Sequence, residues 1–547
     1  MIFIRVYILF FIIMIVGAFA CKNNMQTKGK ENNYYTNKNY SELKIDSVAI
    51  EMFLKTSFFT DSVSNEVKGF YARRNYQFAW FNNDGMVNAA IVFYNQLKNY
   101  ADDFKDTSIS NVEMDSILQI AQTDSKLFIA NPLNVNRLEL MLTATFFQYA
   151  HKVYGGTDSS LKDLDWYIPR KKKDFNMLLD SLVLANNGQA IQEPVNIFYV
   201  QLKQKLKQYR QIQKEGGLPT IFSNKKLLKQ GDIDSCILTI KQSLFLTGDL
   251  LVNNTTYLFD DSLTNSVKHY QRRMGLTETG KINILFIAEM NKSIDFRIQQ
   301  IMVNMERLRW MPVKMESDYL FINIPEYKLH VYQNGTTDWS MIVVVGKNAT
   351  QTSIFKGNIS EVVLNPYWNV PTSIVNKEVL EHLKNNKSYI AQNHMEVRSG
   401  SKVINPYSVN WHQYQHAIPY TVRQKPGNNN SLGKIKFLFP NSFNIYLHDT
   451  PSKDLFGENK RAFSHGCIRI AEPLKLAYYL TQHNVVWPTS RIDSVLNTDK
   501  ETSISIQHKM PVYITYFTAW VDTEGQLNFR NDIYHLDERL QKEIFGE

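Results

Sequence analysis

The chain changes its hydrophobic period at Trp310-Met311-Pro312, and that change limits what each part can fold into. Before it, apolar residues recur at helical spacing. Leu138, Leu142, Phe146, Tyr149 and Val153 form one such stripe, with Asn131-Pro132 as a start and Gly155-Gly156 as a stop. A helix over Phe296–Arg309 leads into the switch, and Pro312 ends it. From Tyr319 the period shortens to that of strands. Tyr319–Ile324, Lys328–Gln333 and Trp339–Val345 are β-rich, and Asn334-Gly335 joins the second and third as a hairpin turn. Further strands are expected at Glu361–Leu364, Ile435–Phe439, Phe443–Leu447 and Pro511–Asp522. The fold class is therefore multidomain α+β, helices first and a mostly β domain after. At 547 residues, about three or four domains are expected.

Within the β part, Tyr446–Ile470 reads YLHDTPSKDLFGENKRAFSHGCIRI. His448 and Cys467 stand too far apart for one helical face and too close for separate domains. A strand end, a surface loop and a returning turn would bring them together. An imidazole beside a thiol generates the reactive thiolate, and Gly466 permits a tight turn whose N–H groups face a developing oxyanion. An isolated Cys/His pair more often belongs to a core, so the flanking residues decide the reading.

Those residues, HDTP after His448, SHGCIR around Cys467 and Pro473-Leu474 beyond, resemble the catalytic signature of the L,D-transpeptidases (YkuD-type domain). They are most similar to its large, multidomain, YcbB-like branch. The passages YLFINIP, NPYWNVP and QNHMEV strengthen the resemblance, though His394 stands where an asparagine-rich context is expected. The resemblance implies a mostly β, sandwich-like catalytic domain over 319–495, with a lid inserted at about 375–432. It implies Cys467 as nucleophile and His448 as base, with His465 the rival base but read as supporting the turn. The histidine is then oriented by a backbone carbonyl and Asp449 is structural. Arg469 is expected to hold a substrate carboxylate or to stabilise the site by hydrogen bonding, Gly466 and Cys467 to supply oxyanion N–H groups, and Tyr446, with Trp368 and Asn369 as weaker candidates, to line the donor pocket. The implied reaction joins two peptidoglycan stem peptides, donor and acceptor, in a 3→3 cross-link through a cysteine thioester with release of D-alanine. The alternatives are an L,D-carboxypeptidase using water, or a non-catalytic wall-binding lipoprotein. The expected setting is cell-wall biogenesis and cell shape. No cofactor is implied.

The N-terminal part fits the same reading. Residues 41–214 resemble the branch's helical scaffold, at Phe70-Tyr71-Ala72-Arg73-Arg74 and Ala79-Trp80, whose aromatics are read as core. Residues 215–295 resemble a three-helix peptidoglycan-binding module, at Gly231-Asp232, Tyr270-Gln271-Arg272-Arg273, Gly275-Leu276 and Gly280-Lys281-Ile282. Whether this module grips wall or only packs stays open. Residues 296–318 are a connecting helix, and 496–547 an extension packing on the catalytic domain.

Export is read from the first twenty residues. Arg5 precedes an uncharged apolar run, Val6–Ala20, of signal-peptide length. Ala18-Phe19-Ala20 fits ordinary cleavage, Cys21 directly after it fits lipidation, and an uncleaved anchor is the third option. Residues 21–40 read as a flexible tether. The expected location is periplasmic, membrane-anchored through Cys21. With three cysteines in all, a disulfide scaffold is not expected, and Cys236 is read as a buried structural thiol. The net charge of +9 carries no long basic run with interleaved aromatics, so nucleic acid is not a partner. The histidines show no ligand spacing, so no metal is expected.

Overall fold

The computed structural model describes residues 41–57, 59–123, 125–157, 159–185 and 193–546. The apolar leader, Cys21 and the tether lie outside the described residues. No helix among the described residues is long and apolar enough to cross a membrane. The chain divides into two compact units, one of residues 1–150 and 174–191 and one of 151–173 and 192–547.

The first unit is helical. Helices α1 (Ser47–Thr56), α2 (Asp61–Arg73), α3 (Asn88–Phe104), α4 (Val112–Thr123), α5 (Pro132–Ala150) and α6 (Phe175–Leu184) make it up, with shorter pieces between. Proline at the first position of α5 costs nothing, because that N–H has no partner in any helix. On α5, Leu138, Leu142 and Phe146 are fully buried, as the stripe requires. Glu139 is fully buried too. Its carboxylate accepts the Ala79 and Trp80 N–H groups at 2.6 and 2.9 Å and the Tyr71 hydroxyl at 2.7 Å. Trp80 donates its indole N–H to Thr143 at 2.9 Å. The aromatic segment read as core is core, tied to the central helix by one carboxylate.

In the second unit, α7 (Ile197–Lys214) packs beside α11 (Ile294–Trp310). Between them in sequence lies the small three-helix module: α8 (Cys236–Leu246), α9 (Asp261–Arg273) and α10 (Ile284–Met290). Ile237, Ile240 and Leu244 from α8, Leu263 and Val267 from α9 and Phe286 from α10 are its fully buried core. Lys241 is buried among them with its ammonium donating to Asn254 Oδ1 (2.8 Å), Thr256 Oγ1 (2.9 Å) and the Leu258 carbonyl (2.9 Å). Cys236 is a buried free thiol, pushed up to about 11 chiefly by burial, as expected of an inert core cysteine. The module is fused to the C-terminal segment: Arg273 donates to the Leu527 carbonyl, and Arg530 returns a bond to the Arg273 carbonyl at 2.8 Å.

Among the described residues, eight strands of one ten-stranded sheet close on themselves: β1 (Tyr319–Asn323), β2 (Lys328–Gln333), β3 (Thr336–Gly346), β4 (Ile354–Leu364), β5 (Ile435–Leu438), β6 (Leu447–His448), β7 (Ile468–Ile470) and β8 (Thr502–Thr515), while Trp166–Tyr167 and Ala462–Ser464 pair onto β4 and β3. Their spatial order is β5-β6-β7-β3-β2-β1-β8-β4, with β4 pairing back onto β5. The sandwich-like β domain expected from the sequence is thus a single closed sheet. Inward positions alternate along each strand. Leu320, Ile322, Leu329, Val331, Val343, Leu447, Ile468, Val512 and Ile514 are all fully buried, and the intervening residues face outward. The expected strand Pro511–Asp522 is two strands, β8 and Ala519–Val521. β8 pairs with both β1 and β4, so residues 502–515 belong to the sheet and are not an extension packed upon it.

The insertion between β4 and β5 is a subdomain with its own small sheet. Trp368–Asn369, Thr421–Gln424, Met395–Ser399 and Lys402–Ile404 pair in that order. Val375, Leu380, Leu383, Val397, Trp411 and Val422 form its buried core. It therefore begins at about Trp368, a few residues before the expected 375.

Candidate active site

Strands β6 and β7 run parallel, with Leu447 opposite Ile468 and His448 opposite Arg469. Leu447 and Ile468 point inward. Their neighbours Tyr446, His448, Cys467 and Arg469 consequently share the outer face, because side chains alternate and paired residues lie together. The loop and turn expected between His448 and Cys467 are there, and sheet register joins their ends.

His448 is 5% exposed. Its Nδ1–H donates to the Asp449 backbone carbonyl, which leaves Nε2 as the acceptor. Burial first, then the Arg469 charge, hold its pKa down at about 3, so the imidazole is neutral at physiological pH. Asp449 itself faces away. Its carboxylate accepts the Lys434 N–H at 2.8 Å and pairs with the Lys453 ammonium. A carbonyl, not that carboxylate, orients the histidine.

Cys467 is a half-buried free thiol. Its S–H donates to the Asn444 carbonyl at 3.6 Å. Burial pushes the thiol pKa up, while hydrogen bonds from Tyr446 and the charges of Lys436 and Arg469 pull it back. The Tyr446 phenol lies beside the sulfur and the Trp368 side chain, and burial pushes it well above its ordinary value. Its ring also meets His448 edge-on, with centroids 5.7 Å apart. Trp368 stands beside Tyr446 at the edge of the site, while Asn369 is exposed on the inserted sheet, paired with Arg423.

The Ser464-His465-Gly466-Cys467 turn is pinned by one hydroxyl. Ser464 Oγ accepts the Gly466 N–H at 3.1 Å and donates to the Cys467 carbonyl at 2.5 Å. Gly466 has φ +117°, a region that only glycine occupies without strain. Thr352 donates to its carbonyl at 2.8 Å. The assignment of Gly466 as an oxyanion donor is therefore corrected, because its N–H is already spent on Ser464. The Cys467 N–H makes no hydrogen bond among the described residues and is the donor left for that task.

His465 turns outward, and its Nε2 meets Glu378 of the inserted subdomain at 2.9 Å. It belongs to a contact between turn and insertion and does not compete with His448. Arg469 is half-buried, and its Nε lies buried without a hydrogen-bond partner. An unmet guanidinium N–H next to a nucleophile suits an incoming carboxylate.

Lys436 was not singled out from the sequence. It stands opposite His448 in the β5–β6 pair, with its ammonium 4.0 Å above the Tyr446 ring. Burial lowers its pKa and the nearby Cys467 raises it again. The only sequence signal was alternation, since Ile435, Phe437 and Phe439 point inward and leave Lys436 outward. Among the described residues no group of three or more His, Cys, Asp or Glu could hold a metal ion.

The family model of the L,D-transpeptidase catalytic domain (YkuD) matches residues 317–514, and that of the scaffold domain matches residues 65–206. A curated protein, a putative L,D-transpeptidase of Haemophilus influenzae, is 35% identical over 243 residues, covering 44% of this chain and 49% of that protein. The chain thus spans about half the length of the curated relative it matches. Among solved structures, an L,D-transpeptidase from Mycobacterium smegmatis is 12% identical, covering 36% of this chain and 58% of that one at a TM-score of 0.19. The crystal structure of L,D-transpeptidase (Yku) from Stackebrandtia nassauensis is 10% identical, covering 54% and 97% at a TM-score of 0.21.

Proposed function

We propose that the chain, whose residues 317–514 match the L,D-transpeptidase catalytic-domain model, forms 3→3 cross-links between peptidoglycan stem peptides through a thioester on Cys467. The observation that carries the reading is the outer-face cluster of Tyr446, His448, Cys467 and Arg469, set by the register of β6 and β7.

With His448 neutral and the Cys467 thiol held up by burial, the resting pair is thiol and imidazole rather than a preformed ion pair. His448 Nε2 takes the S–H proton as sulfur attacks the carbonyl of the diamino acid at stem position three. The oxyanion forms at the Cys467 N–H. Collapse breaks the peptide bond, and the imidazolium returns its proton to the departing D-alanine amine. The side-chain amine of a second stem then attacks the thioester, gives up a proton through His448 and frees the thiol. Lys436 and Arg469 stabilise the negative charge that passes over sulfur, and Arg469 Nε meets a substrate carboxylate. The inserted subdomain, joined to the site through Trp368 and Glu378, excludes water so that an amine accepts the acyl group.

In the same reading the protein works in the periplasm in cell-wall biogenesis, exported by its N-terminal segment and anchored through a lipid on Cys21. The test is mass spectrometry of products from disaccharide-tetrapeptide muropeptides, with Cys467→Ala beside the unaltered chain. A cross-linked dimer that has lost D-alanine, made only with Cys467, supports transpeptidation. Tripeptide alone, even with excess acceptor, replaces it by carboxypeptidase activity. Absence of any thioester on Cys467 refutes both.

A further inference from the structure

A cleft of 860 Å³ opens on the outer face of the sheet over β1, β2 and the start of β3, walled by the first turn of α7 and by residues between Phe517 and Arg530. It shares no residue with the Cys467 site. Ser340 at its edge stands four residues before Val344, the β3 residue paired with Arg469, which is about 13 Å along the strand. The volume lies within the roughly 300–1,000 Å³ of small-molecule sites.

Three features describe what would fill it. The first is aromatic surface: the partly exposed rings of Tyr332, Phe198 and Trp520, with Tyr332 stacked on Tyr319 at a centroid distance of 4.4 Å. The second is charge already answered within the protein. Glu326 is held by His330 at 3.0 Å, Glu316 by the Tyr513 hydroxyl at 2.7 Å, Arg272 by Glu278 at 2.8 Å and Asp522 by Asn528 at 2.8 Å. Burial would raise the Glu326 pKa, but His330, Arg530 and Lys328 outweigh it and bring it to about 2, so this carboxylate stays ionised at ordinary pH. A charged ligand finds these four side chains already engaged. The third is Gln201, whose side-chain oxygen is buried in the wall without a hydrogen-bond partner. It calls for a donor from the ligand. A neutral ligand with donating hydroxyls and apolar C–H faces for the rings is a carbohydrate.

We propose that this cleft binds an oligosaccharide and, resting on the transpeptidase reading above, that it holds the glycan strand whose stem peptide enters the Cys467 site. Strand and stem are one molecule, so capture of the sugar raises the effective concentration of the stem at the nucleophile. The first turn of α7, the C-terminal segment and Arg272 of the small module then serve one cleft.

The experiment titrates the full chain, in detergent, with a peptide-free N-acetylglucosamine tetrasaccharide by calorimetry. Trp520→Ala and Gln201→Leu are treated alike, and acylation of Cys467 by a sugar-free tetrapeptide is followed by mass. Saturable binding is expected, weakened about tenfold or more by each substitution, with acylation by the sugar-free peptide unchanged in both. Absence of binding to the unaltered chain overturns the proposal, as does binding that neither substitution weakens. Displacement of the tetrasaccharide by the tetrapeptide also overturns it and gives the cleft to peptide. If saccharide binding follows the substitutions while no protein is acylated, the transpeptidase reading falls and the saccharide site stands.

Discussion

Replacing Lys436 by methionine removes a positive charge from the nucleophile's surroundings without removing any group that bonds to it. The ammonium lies 4.0 Å above the Tyr446 ring. Tyr446 adjoins Cys467 across a strand spacing of about 4.8 Å, which puts the charge about 7 Å from the sulfur. At an effective dielectric constant of about 20, two unit charges at that separation interact by about 2.4 kcal/mol. Lys436 is only partly buried, and solvent screening reduces this to about 1.4 kcal/mol, or one pKa unit. A cation favours thiolate, so its loss raises the thiol pKa. The rate of iodoacetamide alkylation of Cys467, followed against pH, should therefore rise about one unit later in Lys436→Met, while Lys436→Arg should follow the unaltered chain. Alkylation needs no substrate, so the measurement isolates the thiol. Coincident profiles for all three proteins would refute the electrostatic role, and an early shift in Lys436→Met would reverse its sign.

Other consequences can be checked directly. His448, whose folded pKa is lowered to about 3 from an unfolded value near 6.5, takes up its proton more readily once unfolded. Its contribution to stability is therefore present above about pH 6.5 and lost as pH falls toward about 3, and denaturant titrations should show His448→Gln losing less stability across that window. His465→Ala should leave thiol alkylation unchanged, because the His465 ring bonds to Glu378 and not to the thiol, whereas His448→Ala should lower acylation by about a hundredfold or more. Gly433 has φ +61°, and a Cβ there would collide with the Asp449 carboxylate. Gly433→Ala should cost about 2–4 kcal/mol, read as a lower melting temperature, and should disturb the backbone that holds His448. Glu139→Ala strands two buried N–H groups and a hydroxyl and should destabilise the first unit by about 3–5 kcal/mol in thermal denaturation.

By itself the sequence determined those features whose cause is local. The helix over Pro132–Ala150 follows from its stripe and its proline start. The hairpin at Asn334-Gly335 follows from turn chemistry, with Asn334 and Gly335 both at positive φ. The tight turn at Gly466 follows from the one residue that tolerates φ +117°. His448 and Cys467 were legible as a pair because chemically distinctive residues stand in a spaced pattern, and the burial of Cys236 followed from composition.

Tertiary structure decided whatever depends on partners distant in sequence. Closure of the sheet rests on β4 pairing with both β5 and β8, and hydrophobic alternation specifies a face but never a neighbour. For the same reason Thr502–Thr515 was not read as a full strand: its middle, Gln507-His508-Lys509, is polar and exposed and interrupts the apolar alternation. The engagement of the Gly466 N–H by Ser464, the contact of His465 with Glu378 and the place of Lys436 above Tyr446 all arise from register and loop return. A lysine between apolar residues reads as an outward side chain on any strand. Only the pairing of β5 with β6 puts it opposite the histidine.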